Sequence, residues 1–382
     1  MLKKLGSRKY ALPALIAILI SCVMALMFYP MLNMSPRDLP FAVLSLDEGA
    51  TTPQGEVNAG ELMVGNLTNT ETPNNADSPI QWQPVASQEE LDAALASNEY
   101  FGALTIPADF TQAQVLAQTG QGEPPSLDVV IDNAKSPMIA TQMQALMGSM
   151  FAQMDISANV QMIHTGAVSE NPTSPIATMM GQQISVMPLM IISMIGSVLL
   201  TRIFSVKRAQ STSDRFKTLG KQLGYAAGLS LLASLAAVWL LTSLAGASAP
   251  FWTTTLFFWL ASFAVMSLFL GAFDLHIALG ATLLILVLFC GMMTAVLPAE
   301  VLPSFWANWI YPWVPQHFVG DGVRDILFMG AGLLPRGTGG LLITGGSGLA
   351  LLLVSGFIPT LTPKAKDTVD IMEPDTTTAL PA

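Results

Sequence analysis

The sequence predicts a polytopic α-helical membrane protein with six transmembrane helices, one N-terminal and five C-terminal, and an extracytoplasmic α/β domain inserted between them. Three observations predict this class. The chain is 52% hydrophobic and only 11% charged, whereas a soluble domain carries about a quarter charged residues. Apolar runs of the length a bilayer requires, about 20 residues, occur once near the N-terminus and repeatedly after residue 180. The stretch between them, 33–180, is polar and acidic, with Arg37 and Lys135 as its only basic residues.

The first span runs from about Tyr10 to Leu32, behind Lys3, Lys4, Arg8 and Lys9. Its apolar run is longer than a signal peptide's and no A-x-A cleavage site follows, so an uncleaved anchor is expected. Five more spans are expected over Ile184–Phe204, Leu223–Gly246, Trp252–Phe273, Ile277–Leu297 and Gly339–Pro359. Cytoplasmic loops are rich in Lys and Arg. The basic N-terminus, the loop 205–222 and the tail 361–382, which is expected to be disordered, all fall on the cytoplasmic side if six spans are present. The segment 298–338 is long and aromatic, with Phe305, Trp306, Trp309, Tyr311, Trp313 and Phe318. Two readings stay open for it: an aromatic belt at the interface, or short re-entrant helices packed against protein.

Within 33–180, Phe41–Asp47, Ile80–Ala86, Phe101–Ile106 and Leu127–Asp132 read as strands. Pro84 suits an edge strand. Helical spacing covers Gly55–Leu67, and Ser87 with Glu90 forms a capping box before a second helix. Pro107 opens a third helix, and a long Met-rich helix is expected over Met138–His164. This alternation suggests a mixed sheet with packed helices.

Several chemistries are excluded or unsupported. The net charge of −10 leaves no footprint for nucleic acid. Cys22 and Cys290, the only cysteines, lie in apolar runs and make no disulfide framework. His164 is the only histidine of 33–180, so no histidine metal cluster exists there. Asp47 and Glu48 adjoin but point to opposite faces of a strand, and they read as a strand end. Asp274 and His276 read as loop residues between spans. No G-x-x-x-x-G-K-[ST] motif is present to cradle ATP.

Leu39–Ala50 (LPFAVLSLDEGA) and Tyr100–Thr111 (YFGALTIPADFT) resemble the outer domain of YhgE/Pip-type membrane proteins. The membrane part is similar to a type-2 ABC exporter permease in two segments: the basic loop Val206–Tyr225 and Trp313–Ala331. The resemblance implies a permease subunit of a bacterial inner membrane, exporting a lipid, peptide, polymer or drug. It implies both termini in the cytoplasm and no cofactor in this chain, ATP being used by a partner ABC ATPase. A homodimer or a heterodimer with a paralogous permease is implied, with a periplasmic adaptor as a further partner. Lys207, Arg208, Arg215, Lys217 and Lys221 are the implied ATPase-docking residues. Pro315, Phe318 and Arg324 are candidates for an outer gate. The basic loop departs from the family pattern in lacking a leading acidic residue and Gly-Thr. A second reading makes the chain a membrane-anchored receptor or secretion-assembly protein acting through its outer domain.

Overall fold

The computed structural model describes residues 32–52, 55–69, 79–153, 156–166, 175–209 and 211–358, together with scattered positions between 18 and 30. The expected first span lies mostly outside these residues, although its described positions are helical. The expected tail 361–382 lies wholly outside them.

The acidic half builds a five-stranded sheet. Its strands are β1 (Leu39–Ser45), β4 (Ile80–Pro84), β5 (Gly102–Ile106), β6 (Ser126–Asp132) and β7 (Ser157–Ile163), in the order β4-β1-β5-β6-β7. Only the β5–β6 pairing is antiparallel. Pro84 closes the edge strand β4, where its missing N–H costs nothing. A small hairpin, β2 (Ala50–Thr52) and β3 (Gly55–Val57), precedes helix α1 (Ala59–Thr68). The helical reading of Gly55–Leu67 is therefore corrected at its start: Asn58 caps the helix through Glu61 N–H at 2.7 Å.

Helix α2 (Gln88–Ala96) carries the expected cap at Ser87, which accepts from Glu90 N–H at 3.1 Å. Glu90 answers by accepting from Ala86 N–H at 2.8 Å. After α3 (Phe110–Gln118) comes the Met-rich α4 (Pro137–Gln153). The helix expected to reach His164 stops eleven residues earlier. Residues Ser157–Ile163 pair with β6 instead, because Ala158, Val160 and Met162 alternate with exposed Ser157, Asn159 and Gln161. That period of two suits a strand and defeats a helix. Met143 and Met147 are buried against one sheet face with Phe41, Val43, Leu104 and Val129. Leu91, Ala94 and Leu95 of α2 cover the other face.

Asp47, just beyond β1, anchors this unit. Its carboxylate accepts from the backbone N–H of Gly49, Gly60 and Thr111 and from the Thr111 hydroxyl. Burial alone would raise its pKa, but these donors outweigh that and hold the carboxyl below its usual value.

The other half is a helical bundle: α5 (Pro175–Ile203), α6 (Thr212–Trp239), α7 (Phe251–Leu275), α8 (Ile277–Gly291), α9 (Pro315–Phe328) and α10 (Thr338–Phe357). Four of these contain stretches long and apolar enough to cross a membrane: Ser185–Arg208, Thr212–Leu244, Phe251–Leu275 and Thr338–Phe357. α7 is the central one, with 67% of its most apolar window buried against 33–44% for the others. Outward faces of the rest stay apolar, as at Ile343 (72% exposed) and Phe357 (68%), which suits lipid and not water.

The expected span Ile277–Leu297 is corrected. α8 ends at Gly291 after 15 residues, and turns follow. Gln316 packs against this end and donates to the Val287 carbonyl at 2.5 Å. A side chain at position 291 would also strike Val314 and Gln316. Between α8 and α10, the aromatic stretch forms a short helical turn at Trp306–Ile310 and then α9, whose Val319, Val323 and Ile326 are buried among bundle side chains.

Two outcomes follow from this packing. A Cβ at Gly348 of α10 would meet the backbone of Ser267 and Leu268 in α7. Gly348→Leu is expected to cost about 3 kcal/mol, read as a drop in the thermal midpoint of purified protein. Removing the Asp47 anchor by Asp47→Ala should cost about 2–3 kcal/mol. Because its folded pKa is depressed, the Asp47 contribution is present above about pH 4 and is lost as pH falls through the folded value. Thermal scans between about pH 3 and 6 should show a steeper acid loss for wild type than for the variant.

Candidate functional site: the basic end of the bundle

Where α5 meets α6 the chain reverses within a few residues. Val206–Arg208 forms a single 3₁₀ turn, and Ser211 caps α6 by accepting from Asp214 N–H at 3.1 Å. Gln222, fully buried on α6, reaches back to donate to the Phe204 carbonyl at 2.7 Å. The turn is thereby held to the body of the bundle. Beside it, α7 and α8 meet at His276, which caps α8 through Ala278 N–H at 3.2 Å.

Between these two reversals lies a cavity of about 450 Å³. Arg202, Lys207 and Arg208 line it from the α5–α6 side, and Asp274 and Ile277 from the α7–α8 side. Asp274 is the last acidic residue of a helix and not the loop residue expected; it is 4% exposed. Its Oδ2, and Oε1 of Gln222, have no hydrogen-bond partner among the described residues. Three cations face one carboxylate, so the cavity favours an anionic visitor and offers one buried acceptor at its floor.

The five expected docking residues separate. Lys207 and Arg208 line the cavity. Arg215, Lys217 and Lys221 are not loop residues, because α6 begins at Thr212 and not near Leu223. The Ser211 cap, invisible to hydropathy, starts the helix a full eleven residues before the apolar run. Lys217 and Lys221 project from its exposed face, Lys217 beside Asp214 at 3.5 Å. Arg215 is 9% exposed and donates to the Ile358 carbonyl at 2.8 Å and to Thr212 Oγ1 at 3.0 Å. It fastens the start of α6 to the end of α10 and offers little to a partner. Arg202, which the expected set omitted, belongs to the cavity; its place at the end of an apolar run was the available signal.

The gate candidates lie at the opposite end. Pro315 opens α9. Phe318 packs where side chains at Gly337 and Gly340 of the α10 start would collide with it. Arg324, nearly sealed from solvent, donates to the Ala295 carbonyl at 3.1 Å and pairs with Asp321. Asp325 pairs instead with Arg336 and accepts from its N–H at 2.7 Å. The sheet unit joins this cluster. Asn98 presents its amide oxygen to the Arg336 guanidinium, and Lys135 faces the same small cavity as Glu300, Tyr311 and Asp321. Burial pulls the Lys135 ammonium below its ordinary pKa, with Glu300 opposing. Two backbone bonds complete the junction: Ser35 N–H to Val301 O at 3.2 Å and Arg37 N–H to Glu300 O at 3.3 Å.

Among the described residues no group of His, Cys, Asp or Glu is arranged to hold a metal ion. What remains is a bundle with apolar outer faces and a charged reversal at one end. Against known proteins, residues 14–358 match the family described as ABC-2 family transporter protein. The chain belongs to that family. It is thus a multi-pass membrane protein, the membrane component of an ABC transporter, and membership implies an ABC ATPase as partner. No curated protein and no solved structure matches it.

The two kinds of basic residue should part company in the laboratory. Arg215→Ala is expected to lower stability by about 2–3 kcal/mol, since it strips a charged donor from buried carbonyl and hydroxyl groups. Arg202→Gln, Lys207→Gln and Arg208→Gln should each stay within about 0.5 kcal/mol of wild type. Thermal denaturation of the detergent-solubilised protein checks both.

Proposed function

We propose that the chain is the permease subunit of a type-2 ABC exporter of the YhgE/Pip kind, moving an amphipathic or hydrophobic substrate outward under the power of a separate ATPase. The carrying observation is the cavity at Arg202, Lys207, Arg208 and Asp274, which sits on both helix reversals at one end of the bundle. A partner seated there pushes on α5, α6, α7 and α8 together. Positive charge at that end supports a cytoplasmic assignment, which puts the acidic sheet unit outside and both termini inside. An acidic side chain of the ATPase would meet the three cations, with the Asp274 carboxylate accepting a donor beside it.

In this reading the ATPase closes, the Val206–Arg208 turn moves, and the Gln222–Phe204 bond carries the motion into α6. Because α7 packs against α5, α6, α8, α9 and α10, it passes the displacement to the far end. Phe318 rests on the start of α10 there, and sliding of α10 uncovers it. Pro315, Phe318 and Arg324 then act as the outer gate. Two copies, or this chain with a paralogue, form the pathway. An apolar substrate fits spans whose charged residues, Arg202 and Asp274 among them, lie toward their ends.

The test is a pull-down of tagged protein from gently solubilised native membranes, with ATPase activity assayed in the eluate. An ABC ATPase should co-purify. Joint neutralisation of Arg202, Lys207 and Arg208 should reduce it about tenfold or more, and Lys217→Gln with Lys221→Gln should reduce it less. A wild-type eluate without ATPase would overturn the exporter reading in favour of the receptor or secretion-assembly one.

A further inference from the structure

The sheet unit contains a second cavity that the transport reading does not use. Helix α1 crosses the edge of the sheet without closing onto α4, and the gap between them holds about 380 Å³. Leu62, Met63, Trp82, Leu104, Met150 and Phe151 line it. This volume lies within the range of small-molecule sites, which are concave and mainly apolar with few polar groups. A dry apolar cavity of 150 Å³ accommodates a benzene ring, so this one has room for a hydrocarbon of on the order of ten carbons. Two of its walls are methionines, whose unbranched thioethers adapt to irregular apolar shapes.

Leu62, 64% exposed, borders this cavity and also a wider concavity on the other flank of α1. That neighbour is acidic, carrying Glu48, Glu56 and Glu61. No cation balances it: the only basic residues of the unit, Arg37 and Lys135, line neither cavity. Lys135 is instead committed to the Glu99 carbonyl and lies over the Phe101 ring.

An apolar slot opening beside a carboxylate-rich shelf is complementary to one chemical class. We propose that the sheet unit binds a cationic amphiphile, its alkyl chain between α1 and α4 and its positive head against Glu48, Glu56 and Glu61. Anionic amphiphiles of equal chain length are repelled by the same carboxylates. This site goes beyond the exporter reading and stands apart from it, because ligand binding to the sheet unit needs no ATPase.

The experiment uses full-length protein in nanodiscs and a dodecyltrimethylammonium probe brominated at its chain end, which quenches indole fluorescence on contact. The signal is the quenching present in wild type and missing in Trp82→Phe, so that the other tryptophans and bilayer partitioning subtract out. It is expected to saturate, to be competed by unbrominated dodecyltrimethylammonium, and to resist dodecanoate. Met63→Phe with Met150→Phe should fill the slot and abolish it. The surface variant Glu48→Gln, Glu56→Gln, Glu61→Gln, which leaves the core untouched, should weaken binding about tenfold, the sum expected of three exposed charge contacts. It should leave the affinity of brominated dodecanol unchanged. Quenching that fails to saturate, that survives in the filled variant, or that dodecanoate competes equally well would overturn the proposal. So would an unaltered affinity in the glutamine variant, which keeps the test decisive if the filled variant does not fold.

Discussion

The close approach of α7 and α10 at Gly271 and Gly348 is the constraint on which the bundle depends. With no Cβ on either helix, backbone meets backbone there. Lipid supplies no hydrophobic force to push helices together, so tight van der Waals contact between small residues has to do it. This contact sets α7 in the middle, and the other helices are arranged around it. It also explains why α7 carries so many small residues on its buried face, among them Ala261, Ser262, Ala264 and Ser267. Ser262 uses its position to share a hydrogen bond with Ser193 of α5 at 2.8 Å.

The two ends of the bundle are built differently. At the basic end the fastenings are polar and single: Gln222 to a carbonyl, Arg215 to another. Among the described residues, buried acceptors lack a partner at this end, at Gln222 and Asp274, and also at the other, at Gln316. At the other end the charges are paired off. Arg336 links Asn98 of the sheet unit to Asp325 of α9, and the chain before β1 is bonded to residues 300 and 301. A continuous apolar cluster also runs from α4 and the sheet into Leu297, Val301, Leu302 and Trp306. The sheet unit and α9 are therefore tied through both polar and apolar contacts.

Much of this was legible in the residues. Strands β1, β4, β5 and β6 fall within two residues of where aromatic and β-branched runs between turn residues put them, and Ser87 announced its helix. β7 was obscured because Met and Gln favour helices, while the alternation that matters is only seven residues long. Hydropathy overran the end of α8 because it counts apolar residues and cannot see that Gly291 packs against Val314 and Gln316, distant in sequence. At the basic end the charges themselves were plain. Which of them turn inward was not, since the burial of Arg215 and the exposure of Lys217 depend on the phase of a helix whose start lies in a polar cap. Asp274 read as a loop residue for the converse reason: a carboxylate two residues from a histidine between two apolar runs looks like a loop.

The shortness of α8 has a consequence for the lipid around the protein. Fifteen residues rise about 22 Å, well below the hydrocarbon thickness of about 30 Å. Its main packing partner, α7, is longer at 25 residues. Beside α8 the bilayer meets an uneven rim, finished by the exposed rings of Phe305, Trp309 and Trp313, which prefer the headgroup level. A leaflet pressed against that rim must dip, at a cost of fractions of a kcal/mol per Å of mismatch. Beside α8 the apolar face offered to lipid is thus shorter than the one α7 would span, and an acyl chain lying there has less hydrocarbon to cross.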